Sequence, residues 1–392
     1  MRNSTNGESV YWLRGRDLCK WQAVLLCCSI FMLAACRKND HPHPSGKCDE
    51  FKSSGWNNKY EPQVTVFATG FNNPRGLKFG PDCHLYVAES GTGGTNSTME
   101  LCPDLQVSPE GGGPYLGSET GGRISKVNGK GQRTTVTENL PSTQNAFGDI
   151  VGVADLAFVG NNLYVLVGGG CSHGVTTFPT GILRVNWDGT NSVVADIGAW
   201  QVDHPVAVPG ADFEPEGNPY SMVSVNNDFY VVESNQGQLI KATMNGNVSR
   251  TTDLSASQGH IVPTALVYHD GYFYLSNLST FPLSEGTAKI YRIGMNGNVE
   301  IVGEGFTAVL GLAFDKKGRL YVLESSSQNG FPTPGAGRIV RVNKNGSRDI
   351  VTSGLSLPTG MTFGPDENLY VSHWGFGKEA GGGEILKVKL HD

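Results

Sequence analysis

The sequence predicts an all-β fold, a six-bladed β-propeller, on three observations. A hairpin centred on Leu-Tyr-Val or a close variant recurs six times, and each copy is followed by a third strand of alternating apolar and polar residues. The chain also ends one strand short while carrying a spare strand near its front. Self-similarity at a period of about 40 to 50 residues, with strands in every unit, marks a propeller.

The first copy runs from Pro74 to Glu89. Its turn is Gly80-Pro81-Asp82, where proline sets φ and aspartate bonds its own backbone. The hairpin core returns as Leu163-Tyr164-Val165, Phe229-Tyr230-Val231, Phe273-Tyr274-Leu275, Leu320-Tyr321-Val322 and Leu369-Tyr370-Val371. Third strands are predicted at 123–127, 181–185, 238–242, 289–293, 338–342 and 384–388, half-buried by their alternation. Asn128-Gly129, Asp188-Gly189, Asn245-Gly246, Asn296-Gly297 and Asn345-Gly346 predict hairpins of the primed type before the fourth strands. The sixth unit has no fourth strand of its own. Residues 63–68, Gln-Val-Thr-Val-Phe-Ala, resemble the other fourth strands, so the N-terminal strand is expected to complete the last blade and close the ring.

This topology sorts the loops. Turns between strands 1 and 2 and between 3 and 4 lie on one face of the disc and are short. The 2–3 and inter-blade connections lie on the other face and hold most of the irregular sequence: 90–121, 168–180, 198–219, 255–263, 276–288 and 325–337. Long loops gathered on one face of a rigid scaffold are where binding normally resides.

Five residues sit two past the Leu-Tyr-Val triplets and point toward that face: Glu89, Glu233, Asn277, Glu324 and His373, with Val167 breaking the series. Oxygen donors of this kind could hold Ca²⁺ at a channel mouth. Equally, they could cap strand ends and meet loop amides. Asp155 stands in an innermost strand where the other units have Gly76, Met222, Ala265, Gly311 and Gly360. A carboxylate facing the channel needs a partner, and Arg75 on the preceding blade is the expected one. Aromatics in the same loops, Phe147, Phe178, Trp200, Tyr220, Phe281, Phe306, Phe331, Trp374 and Phe376, could form a platform for a sugar or peptide or pack the loops together. No nucleophile elbow, phosphate-binding glycine loop or histidine cluster at ligand spacing is present.

Residues 1–35 read as a secretory signal: Arg14, Arg16 and Lys20 precede an apolar run at 21–35 that is short for a bilayer span. Leu33-Ala34-Ala35-Cys36 resembles the bacterial lipobox, which implies lipidation of Cys36 and anchoring to a membrane in the cell envelope. Residues 36–61 read as a flexible tether and 62–392 as the propeller. Removing 1–35 takes away four basic and two acidic residues, leaving a net charge of −8 and no basic cluster for nucleic acid. Cys48, Cys83, Cys102 and Cys171 remain for disulfides. Four cysteines allow three pairings; Cys83–Cys102 is preferred here because one sits at a hairpin turn and the other in the next loop.

Several stretches extend the reading to a family: Glu216-Gly-Asn-Pro-Tyr220, Val232-Glu-Ser-Asn235, Val262-Pro-Thr264, the run from Tyr274 to Leu283, and the segments from Lys289 through Glu324. On these the chain resembles the NHL-type six-bladed propellers and, more narrowly, the secreted ScyD/ScyE-type propeller proteins. The resemblance implies an extracytoplasmic propeller and carries over no catalytic residue. Gluconolactonase and SMP-30-like propellers place Asn or Asp where this chain has Arg75, Ala154, Ser221, Thr264, Leu310 and Thr359, so their metal site is not expected. The expectation is a monomeric, lipid-anchored scaffold that holds a glycan, small molecule or protein on its long-loop face. The alternative is a metal-assisted hydrolase, lactonase or lyase at the channel mouth.

Overall fold

A computed structural model describes residues 48–51 and 62–390 of the chain. Each repeat folds as a four-stranded antiparallel blade. Blade 1 is built on Pro74–Phe79, Leu85–Glu89, Leu116–Val127 and Arg133–Gln144, with a short fifth strand, Ile150–Val151. Blades 2 to 5 follow in order. In the sixth, Gly360–Phe363, Leu369–His373 and Gly383–Lys389 are completed by the N-terminal strand Gln63–Phe71, which pairs with Gly383–Lys389. The ring closes as the spare strand predicts. The leader 1–35, Cys36 and most of the expected tether lie outside the described residues.

The core lies between blades. One cluster joins Tyr86, Ala88, Ile124 and Leu140 of blade 1 to Leu156, Leu163, Val165 and Leu183 of blade 2, all buried. Each of the Leu, Ile and Val side chains contributes about 1.5–3 kcal/mol on leaving water. The motif tyrosines are buried for a polar reason as well. Tyr86 and Tyr370 donate to the turn carboxylates of Asp82 and Asp366, both at 3.0 Å. Lys126 and Lys387 on the third strands pair with the same carboxylates at 2.6 Å and lie over the rings. This one device accounts for the turn aspartate, the tyrosine and the basic residue of the third strand.

Two sequence expectations change. The 3–4 turns are not primed two-residue hairpins. In each, the glycine amide bonds back three residues, as Gly189 N to Asn186 O at 2.9 Å, and only the glycine takes a positive φ, +85° at Gly189. They are three-residue loops, a type I turn closed by a left-handed glycine. Second, residues 116–121, read as part of an irregular loop, extend the third strand of blade 1, with Leu116 opposite Gln144. The Gly- and Ser-rich stretch hides that strand because it lacks an apolar face.

Within the segment read as a tether, Asp49–Phe51 forms a 3₁₀ turn. Phe51 is buried against Phe67, Phe79 and Tyr370, at the seam where blade 6 meets blade 1. The cystines are Cys48–Cys83 and Cys102–Cys171, which corrects the expected Cys83–Cys102 pairing. Cys83 lies in a hairpin turn on the short-turn face, whereas Cys102 lies in a loop of the opposite face. The topology therefore keeps them apart.

Candidate functional site

The five strand-end residues share one local role. Each closes the second strand of its blade and meets the main chain entering that blade. Glu89 accepts from Asn72 N at 2.6 Å, Glu324 from Thr307 N at 2.7 Å, and Glu233 from Asn218 N at 2.7 Å. His373 Nε2 accepts from Ser356 N at 2.8 Å, and Asn277 donates to Ile261 O at 3.1 Å. Most are also tied to the third strand. Arg123 grips Glu89 at 2.6 and 2.9 Å, Arg338 pairs with Glu324, His373 meets Glu384 at 3.1 Å, and Lys289 N donates to Asn277 at 2.8 Å. The three carboxylates are wholly buried. Val167 of blade 2 is the exception; there Gly168 N bonds Gly152 O at 2.8 Å, a main-chain bond that blades 1, 3, 4 and 5 also make beside their side-chain contacts. These hydrogen bonds tie each side chain to its own blade.

Asp155 is also enclosed. Its carboxylate accepts from Met222 N at 2.9 Å, Ser221 Oγ at 3.1 Å and Leu156 N at 2.9 Å, and pairs with Lys78 at 3.4 Å. It thereby ties the inner strands of blades 1, 2 and 3. The cation is Lys78 and not Arg75. A β-bulge lies between Pro74 and Leu77, where Arg75 sits. The Arg75 guanidinium instead donates to Ser90 Oγ and Ile150 O and lies by the Tyr220 ring. Gly76 must be glycine, since a Cβ there would stand 2.0 Å from the Asp155 carboxylate. Above this set Tyr220 of blade 3 reaches across the ring and donates to Thr359 O of blade 6 at 2.9 Å. It spans the channel near its long-loop end, and the central cavity holds about 30 Å³, room for a water or two.

The long loops are held by buried polar contacts that the sequence did not disclose. His173 is wholly buried, with Nδ1 at 2.7 Å from Gly169 O and Nε2 at 3.3 Å from the Glu214 carboxylate. Tyr115 donates to the other Glu214 oxygen at 2.9 Å. Burial disfavours the imidazolium, but Glu214 and Glu216 outweigh it and hold His173 above its ordinary value. Glu216 accepts from Ser172 N at 2.6 Å, and Cys102–Cys171 runs between the same two loops as Tyr115 and His173. The alternating acids of Asp212-Phe-Glu214-Pro-Glu216 were the signal available for this cluster.

The aromatics divide. Phe306 is buried under Arg348. Trp200 stacks on His204 with Arg250 above its ring, and Phe178 packs on the core between blades 1 and 2. Phe281 and Phe331 differ: their rings stack 5.3 Å apart and 10° from parallel, yet they are 49% and 66% exposed. A two-way bridge between Leu283 and Gly330 joins their loops, and Asn329 Oδ1 accepts from Glu285 N at 2.8 Å beside them.

Solved structures share this architecture. A protein of unknown function from Bacteroides thetaiotaomicron aligns with a TM-score of 0.53 at 12% identity, over 85% of this chain and 76% of its own. XC5397 of Xanthomonas campestris, described as a gluconolactonase, aligns at 0.50 and 10% identity, over 83% of this chain and 90% of its own. A glucose dehydrogenase aligns at 0.51 and 12% identity, over 84% and 100%. The likeness is one of fold. No family model and no curated protein matches the sequence. The chain is a six-bladed propeller with a structural neighbour described as a gluconolactonase. Among the described residues, no three His, Cys, Asp or Glu side chains converge as a set that could hold a metal ion.

Glu233 shows what burial does to such a carboxyl. Burial raises it to about 7, against the pull of amides from Asn218, Gln236 and Asn235 and with the push of Glu214. Its folded value thus exceeds the value of 4.5 for a free side chain. The protonated form is favoured by folding, so its stabilisation is full below pH 4.5 and is lost as pH rises through about 7. That window amounts to about 3 kcal/mol. Urea unfolding of wild type and Glu233→Gln at pH 5 and pH 8 checks this. The wild-type advantage should shrink at pH 8; an equal gap at both would show an ordinary carboxylate.

Proposed function

We propose that this chain is a lipid-anchored, extracytoplasmic propeller of the ScyD/ScyE type that binds a glycan through its long-loop face. The exposed Phe281–Phe331 stack carries the reading. Exposed stacked rings in a polar rim present flat apolar surface with hydrogen-bonding groups alongside, which suits the C–H faces and hydroxyls of a sugar. The paired cystines suit an oxidising compartment outside the cytoplasm, and the lipobox at Cys36 supplies the anchor. The hydrolase alternative lacks support, because Glu89, Glu233, Asn277, Glu324 and His373 are engaged by their own blades.

Truncating an aromatic anchor costs about 2 kcal/mol or more, about 30-fold in affinity. Phe281→Ala/Phe331→Ala should therefore lose glycan binding by at least that factor, with an unchanged unfolding midpoint. Binding untouched by the double substitution would overturn the site.

A further inference from the structure

The N-terminal segment meets the propeller on its short-turn face. Cys48 is bonded to Cys83 in the first turn of blade 1, and Glu50 accepts from Gly129 N, in the second turn, at 3.3 Å. Gly129 is small because the segment crosses it: a Cβ there would stand 2.6 Å from the Glu50 Cβ. The equivalent turn position in blades 2, 3, 4 and 5 is Trp187, Met244, Met295 and Lys344. The first three are 64%, 41% and 47% exposed. Three consecutive blades thus present a large apolar side chain at the same turn on the same face, where a polar residue would serve the turn equally well.

We propose that this short-turn face rests on a lipid bilayer, with Trp187, Met244 and Met295 entering the headgroup region and the long-loop face turned away. The proposal rests on Cys36 as the lipid-bearing residue. Eleven residues lie between Cys36 and Cys48, a reach of about 40 Å at full extension, and that tether ends on this face. Tryptophan and flexible apolar side chains suit the water–lipid boundary. Charge here is mixed: Lys130 and Lys344 are exposed, but so is Asp188 beside Trp187. The contact is therefore apolar and should persist on uncharged lipid.

The test uses the full-length, cell-matured protein added to preformed phosphatidylcholine vesicles. Flotation reads anchoring, and a water-soluble maleimide reads the faces in Met295→Cys and Phe331→Cys, with Met244→Cys as a second probe of the lower face. The expected result is flotation that Cys36→Ala weakens. Labelling at positions 295 and 244 should be about tenfold slower on vesicles than in detergent, with position 331 labelled equally in both. Floating protein whose two faces label alike would overturn the orientation and leave the anchor standing. Protein that does not float would overturn both.

Discussion

Glu89→Ala is expected to destabilise the propeller by about 3–5 kcal/mol, the cost of breaking a buried ion pair from one side. The side chain is wholly buried and accepts from Asn72 N, from both Arg123 nitrogens and from Ser125 Oγ. Its loss leaves a largely buried guanidinium with Gly70 O as its remaining acceptor at 2.9 Å, and strips an acceptor from the Asn72 amide. Asn72 directly follows the closing strand Gln63–Phe71, so the damage falls at the seam of the ring. Urea unfolding followed by tryptophan fluorescence measures the loss. Glu89→Met with Arg123→Met should recover much of it, since removing both partners leaves no uncompensated charge. A loss below about 1 kcal/mol, the level of an exposed pair, would show that the fold does not depend on this carboxylate.

Removing the cystine Cys102–Cys171 should cost about 4 kcal/mol, the chain-entropy value for its sequence separation of 69 residues. The local contacts supply no substitute for the link. Thr98 Oγ donates to Cys171 O at 2.5 Å, which orders the loops only while they are already together, and Gln106 donates to Cys102 O at 3.1 Å within a single loop. Cys102→Ser/Cys171→Ser should lower the urea midpoint and blunt the further effect of reductant, leaving Cys48–Cys83 as the remaining target. An unchanged midpoint would mean that the His173–Glu214–Tyr115 contacts alone hold these loops.

Repetition made the blades legible in the sequence, because a period read six times averages out local exceptions. The closing strand was legible for the same reason: 63–68 matched a missing repeat element. What failed was local geometry. Arg75 is the expected partner of Asp155, yet Lys78 holds that carboxylate, and the bulge between Pro74 and Leu77 has no mark in the sequence. Asn-Gly and Asp-Gly pairs mark the turn glycines of blades 2 to 5 but not the turn type, and in blade 1 the left-handed glycine is Gly131 and not Gly129. The strand-end residues Glu89, Glu233, Asn277, Glu324 and His373 were visible as a series. Their partners, the amides entering each blade, carry no side-chain signature. His173 and Glu214 stood outside the repeat, in loops whose contacts depend on how two blades bring them together. Phe281 and Phe331 are two of nine loop aromatics that no sequence pattern ranks; their mutual stacking together with exposure distinguishes them, since Phe147 is 68% exposed as well.

The division of labour between buried carboxylates and exposed aromatics is tested most directly by glycan-array binding. The proteins compared are the wild-type full-length chain, Phe281→Ala/Phe331→Ala and Glu233→Gln/Glu324→Gln, each with its urea midpoint. Wild type should retain a defined glycan class. The aromatic double variant should lose it without loss of stability, while the carboxamide pair should keep it with a lowered midpoint. Binding that survives without the two rings, or that vanishes with the carboxylates while stability holds, would contradict the account.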